Sequence, residues 1–373
     1  AQALQARGHE VAFATGQGFG PVVKHVGFQH FPCGLDYDGS GDVFPTLPEW
    51  PDIQSQPLPP ALQQLYGFIA ALGPRMADDL IPLVESWQPA LIVRDQLEFG
   101  SYIVAERFSL PYASVMWALY IDPRYGCAEA LVELRQRYGL PDSSNLAAFD
   151  RYLVLKSLPP EWNSVGAPEA PVTHSFCTPP FDQSQTDQLP AWVETLPARP
   201  TIHATLGTAF NQAPDVFRAI IAALSTEDVN VIITVGRSLN PALFHPLPDN
   251  IYVEQYIPQS LLLPRCAALI FHGGYNSLLS ALWHGLPLVT IPMGAGDQLP
   301  TAQQCQKIGL GPMITDDPLK PETIRAAVLA VLTQPQYREQ ARHWQSQIKA
   351  LPDLSIAAKR LETLAENHEP QFV

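Results

Sequence analysis

The stretch Phe271-His-Gly-Gly-Tyr-Asn-Ser-Leu-Leu-Ser-Ala-Leu-Trp-His-Gly-Leu-Pro-Leu-Val-Thr-Ile-Pro292, with Asp297-Gln298 and Gly309-Leu-Gly311 after it, decides the fold. The apolar run Ala267–Phe271 (AALIF) predicts a buried parallel strand. Gly273 and Gly274 allow a sharp turn and a close approach by a ligand. A helix is expected over Ser277–His284, capped by Asn276 or Ser277 and stopped at Gly285 ahead of Pro287. A second strand follows. The helix N-terminus offers unsatisfied N–H groups and the positive end of a dipole, both suited to a diphosphate. His272 adds a donor for a phosphate oxygen. The same residues also suit an ordinary strand–helix turn with a capping asparagine and a surface histidine.

The whole segment is more specific than the turn. His-Gly-Gly-x-Asn-Ser, a helix ending Gly-x-Pro, a strand ending in Pro, then Asp-Gln and Gly-x-Gly occur in order over about forty residues. This resembles the C-terminal signature of the family-1 nucleotide-sugar glycosyltransferases. The resemblance implies an α/β protein of GT-B fold, with two facing Rossmann-like parallel-sheet domains and the cleft between them. It implies an inverting, metal-independent hexosyltransferase without a cofactor. Its partners would be a UDP- or dTDP-sugar, held by the second domain, and a small, largely apolar acceptor, held by the first. The donor-site residues it implies are Thr208, Tyr256, Gln259, His272, Gly274, Asn276, Ser277, Asp297 and Gln298.

Composition agrees. A chain of 373 residues suggests two domains, each able to bury its own core. With 46% hydrophobic and 16% charged residues, it is globular in composition. A net charge of −14 without any Lys/Arg run argues against nucleic-acid or anionic-membrane partners. A diphosphate must then be held by dipoles, hydroxyls and one or two local cations. Cys33, Cys127, Cys177, Cys266 and Cys305 form no C-x-x-C pair, so free thiols in a reducing cytoplasm are expected, with no zinc site. No apolar run reaches membrane-spanning length.

The chain opens on Ala1-Gln-Ala-Leu-Gln-Ala-Arg-Gly-His9, the tail of a helix closed by Gly8, followed by a strand over Val11–Thr15. In the family this stretch follows a first strand and a loop whose Gly-His pair carries the catalytic base. The expectation is an N-terminal domain lacking that strand and loop, roughly 20–25 residues by strand and helix dimensions. Such a chain would bind nucleotide without completing transfer. His9, His25 and His30 are the nearest histidines in sequence, and His9 suits an ordinary helix–strand turn.

Further along, Val22–Phe31 suggests a second strand and Cys33–Pro60 a long loop, an acceptor lid by its place in the family. Helices are expected over Leu62–Leu72, Met76–Trp87 and Ser101–Phe108, and strands over Ala90–Val93 and Tyr112–Met116. This βαβ rhythm predicts a parallel sheet. Asp95 falls at a strand's carboxyl end, where open α/β sheets bind ligands, and it also reads as a cap for the next helix. Val93-Arg-Asp-Gln-Leu-Glu-Phe-Gly-Ser-Tyr102 resembles the family's first domain. The resemblance implies that Asp95 holds the catalytic histidine, fixing its tautomer and raising its basicity. Helices over Glu129–Tyr138 and Leu146–Leu155 are expected next. Trp117, Tyr120, Tyr125 and Trp162 are either acceptor-pocket aromatics or core.

The second domain is expected to open with a strand from Thr201 ending in Gly207-Thr208, which the family places near the sugar diphosphate. A helix over Val216–Leu224 and a strand over Asn230–Val235 lead to Arg237, a phosphate ligand or a solvated side chain. Gln255-Tyr256-Ile-Pro-Gln259 resembles the family's aromatic-x-Pro-Gln turn, where the ring stacks on the base and Gln contacts base or ribose; Tyr256 stands for the usual Trp. Three departures bear on the donor. Ser280 replaces a Glu that binds ribose hydroxyls, which tilts the donor toward dTDP. Met293–Gly296 is one residue longer than usual before Asp297, and Thr301 replaces an Asn. Helices are expected over Pro321–Leu332, Tyr337–Ala350 and Leu354–Asn367.

The expected domains are 1–178 (acceptor), 179–200 (linker), 201–350 (donor) and 351–373, a helix crossing back to the first domain. Two other functions stay open. One is a non-catalytic nucleotide-sugar-binding or accessory protein. The other is a sugar-nucleotide epimerase of the same fold, disfavoured by Tyr256–Gln259 and Asp297-Gln298.

Overall fold

The computed structural model describes residues 1–36, 46–116, 126–141, 149–162, 169–181, 188–207, 212–236, 239–294 and 296–373, the side chains of 60 and 61 excepted. The chain forms two compact units. The first takes in the opening residues, runs to Thr178 and is completed by Leu351–Val373; the second is Pro179–Ala350.

In the first unit, β1 (Ala12–Thr15) and β2 (Gln29–Pro32) form a parallel pair. A second parallel sheet holds β3 (Ile92–Asp95), β4 (Tyr112–Val115), β5 (Leu153–Lys156) and β6 (Thr173–Ser175) in that order. The helix Pro60–Gly67 continues through a π-helical turn, Phe68–Leu72, into the helix Gly73–Trp87. That last helix crosses the helix Gly100–Phe108 at backbone contact. A Cβ on Gly100 would stand 2.5 Å from the Gly73 carbonyl oxygen, so only glycine fits the crossing. Phe99, Tyr102, Tyr112 and Phe149 build the core beneath, and the buried Arg94 guanidinium lies 4.6 Å from the Phe149 ring centroid. Full burial of each such aromatic contributes about 1.5–3 kcal/mol.

Three sequence expectations fail here. The expected loop Cys33–Pro60 contains a helix, Trp50–Gln54, while residues 37–45 of it lie outside the described residues. Val22–His25 is helical, part of Gly20–His25 with Pro21 in its first turn, and only Gln29–Pro32 is strand. Leu153–Lys156 is strand and not helix, paired between β4 and β6; residues 142–148 lie outside the described residues. Short apolar runs such as Leu153-Val-Leu155 carry no period that separates buried strand from buried helix.

The helix Leu354–Asn367 is capped by Asp353, whose Oδ1 accepts from the Ser355 N–H at 2.7 Å. Its buried Leu361 and Leu364 cluster with Ala113 and Leu153. Glu362 accepts from Arg7 Nε and Nη2 at 2.7 and 2.6 Å, and pairs with His9 Nε2 at 2.8 Å. His9 is thereby committed to an exposed ion-pair cluster.

The second unit holds one parallel sheet: β7 (Thr201–Thr205), β8 (Asn230–Thr234), β9 (Ile251–Glu254), β10 (Ala268–Phe271) and β11 (Leu288–Thr290), in spatial order β11-β10-β7-β8-β9. β7, β8, β10 and β11 are buried along their whole length; β10 (ALIF) and the centre of β8 (VII) read accordingly as apolar runs, whereas β7 buries Thr201, His203 and Thr205. Helices Pro214–Leu224 and Pro321–Thr333 supply Phe217, Ile220, Leu224, Ile324 and Val328 to its core. Both begin with proline, whose missing N–H is one the first turn leaves unbonded anyway. Trp192 stacks on Tyr252 at 4.7 Å and donates to Glu254 at 3.2 Å, tying the segment before β7 to this unit. All five cysteines are unpaired, and no helix of the described residues is long and apolar enough to cross a membrane.

Candidate functional site

Strand order fixes where a ligand fits in the second unit. β8 and β9 are added on one side of β7, and β10 and β11 on the other. The carboxyl ends of β7 and β10 therefore flank the switch point, where open parallel sheets take their ligands. Thr205 pairs with Phe271 across those strands, so the residues just beyond, Gly207 and His272, converge.

The His272 ring is clamped between two glycines. A Cβ on Gly207 would stand 2.7 Å from Cε1 of the ring, and one on Gly274 would stand 2.4 Å from Nε2. Gly207 also has φ +79°, and its N–H is accepted by Thr205 Oγ1 at 3.2 Å. Burial pushes the His272 pKa down to about 4, opposed in part by a hydrogen bond to the Thr205 carbonyl. The ring is neutral at pH 7, so it carries no charge and a single N–H, which serves either the Thr205 carbonyl or, in the other tautomer, an anion.

The helix beyond spans Tyr275–Trp283, two residues earlier than the sequence suggests, because Gly274 takes the cap position in an extended conformation. Asn276 and Ser277 are thus not caps: they lie in the first turn, Asn276 exposed and Ser277 buried. The cap residue is a glycine and brings no side chain of its own to the first-turn N–H groups. Gln259, opening the short helix Gln259–Leu262, donates from Nε2 to Ser277 Oγ at 3.1 Å. Tyr256, two residues past β9, presents a ring that is 55% exposed. Ser280 is buried on the same signature helix.

Gln298 begins the helix Gln298–Lys307 and is buried. Its Oε1 accepts from the Met293 N–H at 2.8 Å, and its carbonyl oxygen would stand 2.6 Å from a Cβ on Gly273. Gln298 thus braces the loop after β11, a task the sequence did not suggest. Asp297 has a buried Oδ2 without a partner among the described residues, and burial pushes its pKa up to about 6. A carboxyl whose folded pKa lies above its unfolded value destabilises the fold once ionised. The penalty is complete above about pH 6 and absent below the unfolded value of 3.8. Asp297→Asn is therefore expected to stabilise the protein by ~2–3 kcal/mol at pH 7.5 and by nothing at pH 3.5. Melting curves at the two pH values check this; an equal gain at both contradicts it.

Thr208 and Arg237 lie outside the described residues, as do Trp117, Tyr120 and Tyr125. Trp162 is fully buried, a core residue. In the first unit Asp95 is the last residue of β3, exposed, with Oδ1 accepting from the Leu97 N–H at 2.7 Å. It does not cap the following helix. Glu98 does, accepting from the N–H groups of Gly100 and Ser101 at 2.6 and 2.8 Å. That role was missed, though a Glu two residues ahead of a Gly-Ser helix start was its signal. His30 pairs with the Thr15 carbonyl at 3.0 Å. A recess lined by Arg199, Glu227, Asp228 and Asp249 sits by the amino ends of β7 and β9, the wrong end for such a site.

Residues 218–364 match the family described as Erythromycin biosynthesis protein CIII-like, C-terminal domain. The chain is 27% identical over 420 residues to 4'-demethylrebeccamycin synthase of Lentzea aerocolonigenes, covering 98% of this chain and 94% of the relative. Among solved structures it is similar to the calicheamicin glycosyltransferase CalG4, with TM-score 0.79, 23% identity and coverage of 99% and 94%. The chain is a GT-B glycosyltransferase. A second similar structure, glycosyltransferase VinC in complex with dTDP, has TM-score 0.76 at 23% identity and covers 98% of this glycosyltransferase and 94% of its own chain.

Proposed function

We propose that this glycosyltransferase moves a hexose from a dTDP- or UDP-sugar to a hydroxyl of a small, largely apolar acceptor, with inversion and without a metal. The observation that carries the donor assignment is the His272 ring, packed against Gly207 and Gly274 beside a helix N-terminus whose cap residue is a glycine, at the sheet's switch point. First-turn N–H groups and a helix dipole stabilise the charge that gathers on a departing diphosphate without reorganising. His272, Ser277 and Asn276 complete that cradle, with Thr208 added only by the family resemblance, and the exposed Tyr256 ring stacks on the base.

In this reading Gln259 lies beside the cradle, and Asp297 with Gln298 meets the sugar hydroxyls. By the family resemblance Asp95 would support, through a hydrogen bond, the base that takes the acceptor proton as its oxygen attacks the anomeric carbon, an imidazole of the family's N-terminal loop that is not among the residues of this chain. Ser280 leaves no carboxylate for a second ribose hydroxyl, which favours dTDP. The dTDP complex of VinC and the rebeccamycin-type relative support the same donor and acceptor classes. Five unpaired thiols suit a reducing cytoplasm.

The test incubates the protein with dTDP-glucose or UDP-glucose, polycyclic and macrolide aglycones, and EDTA, and follows products by mass spectrometry. A mass gain of one hexose with stoichiometric nucleoside diphosphate, undiminished by EDTA, is expected; NMR of the product should show the anomeric configuration opposite to the donor's. Retained configuration or full inhibition by EDTA contradicts the mechanism.

A further inference from the structure

The sequence resemblance assigns Gln259 to the base or ribose, yet the structure gives its amide another task. Nε2 of Gln259 lies 3.1 Å from Ser277 Oγ, linking the short helix Gln259–Leu262 to the first turn of the helix Tyr275–Trp283. An amide N–H only donates, so in this bond the Ser277 oxygen accepts. The hydroxyl proton is then left for another acceptor. A serine in a helix commonly spends that proton on a carbonyl one turn back, which would waste it. No hydrogen bond donated by Ser277 is found among the described residues. Ser277 is 6% exposed, so water has little access to reset its rotor.

We propose that Gln259 is a positioning residue: it holds Ser277 Oγ as an acceptor, so that the serine proton is presented to an oxyanion at the helix N-terminus. The effect on a nucleotide is therefore exerted on the diphosphate and travels through Ser277. A Gln at this place without the serine contributes little to phosphate binding. A Glu reverses the polarity, because a carboxylate takes the serine's proton for itself. This inference rests on the donor-site reading above.

The experiment measures affinities of dTDP and thymidine for the full chain by calorimetry or competition. The variants are Gln259→Ala, Gln259→Glu, Ser277→Ala and the double Gln259→Ala/Ser277→Ala, each checked by thermal melting. Expected are about tenfold losses of dTDP affinity for Gln259→Ala and Ser277→Ala, a double variant no weaker than Ser277→Ala, and a larger loss for Gln259→Glu. Thymidine affinity should stay unchanged throughout. Additive losses in the double variant, or equal losses for thymidine and dTDP in Gln259→Ala, overturn the positioning role and leave the donor site standing. A wild-type chain that binds neither dTDP nor UDP overturns the donor site and this inference with it. Should Gln259→Ala melt early, Gln259→Glu decides alone: dTDP affinity equal to wild type overturns the proposal.

Discussion

Gly274→Ala is expected to weaken dTDP binding by about tenfold to hundredfold, the worth of roughly 1.5–3 kcal/mol for a hydrogen bond to a charged group. The new Cβ would stand 2.4 Å from Nε2 and 2.6 Å from Cε1 of His272, closer than carbon and nitrogen can approach. The ring must shift, and Gly207 packs so closely on the same ring that a Cβ there would be only 2.7 Å from Cε1. Forcing the chain apart also costs about 1–3 kcal/mol of stability. The diagnostic is the double variant Gly274→Ala/His272→Ala. Without the imidazole the methyl group has room, so the double variant should bind dTDP no worse than His272→Ala and melt later than Gly274→Ala. Strictly additive losses would show that Gly274 acts on the nucleotide by another route.

Gly311→Ala carries the largest expected loss of stability, about 3–5 kcal/mol. A Cβ there would lie 1.6 Å from the carbonyl oxygen of Leu288 in β11, which is backbone and cannot turn aside. The segment after Leu310 would have to leave the sheet. It would give up the bonds from the Leu288 N–H to the Leu310 carbonyl at 2.9 Å, from the Thr290 N–H to the Pro312 carbonyl at 3.0 Å and from the Ile314 N–H to the Thr290 carbonyl at 2.8 Å. Gly309 is the built-in control. Its Cβ would meet only Gln340 Cγ at 3.4 Å, leaving just the strain of φ +76°, about 1–2 kcal/mol. Thermal melting should therefore place Gly311→Ala well below Gly309→Ala, and similar midpoints for the two would contradict the packing argument.

Much of this architecture was legible because its signals are local. The fully buried β8 and β10 announce themselves as apolar runs, and Pro214 and Pro321 mark helix starts. The glycine turn after Phe271 fixed the site's place in the chain. What stayed hidden depends on residues far apart in sequence. The clamp on His272 needs β7 beside β10, which brings Gly207 within reach of a ring sixty-odd residues away. The Gln259–Ser277 bond and the turn of Gln298 onto Met293 have the same origin. The misplaced helix start came from treating Asn276 and Ser277 as caps, when an extended Gly274 already held that position. Gly309-Leu-Gly311 was legible as a motif but not as packing: the strand it crowds, β11, is visible as a neighbour only in the fold.

The donor site is tested most directly by calorimetric titration of the full chain with dTDP at pH 7.5, wild type against His272→Ala, with thymidine as the phosphate-free control. The predicted result is one dTDP site per chain, weakened about tenfold to hundredfold by His272→Ala while thymidine binding is unchanged. Equal dTDP affinity in the two proteins would contradict the account.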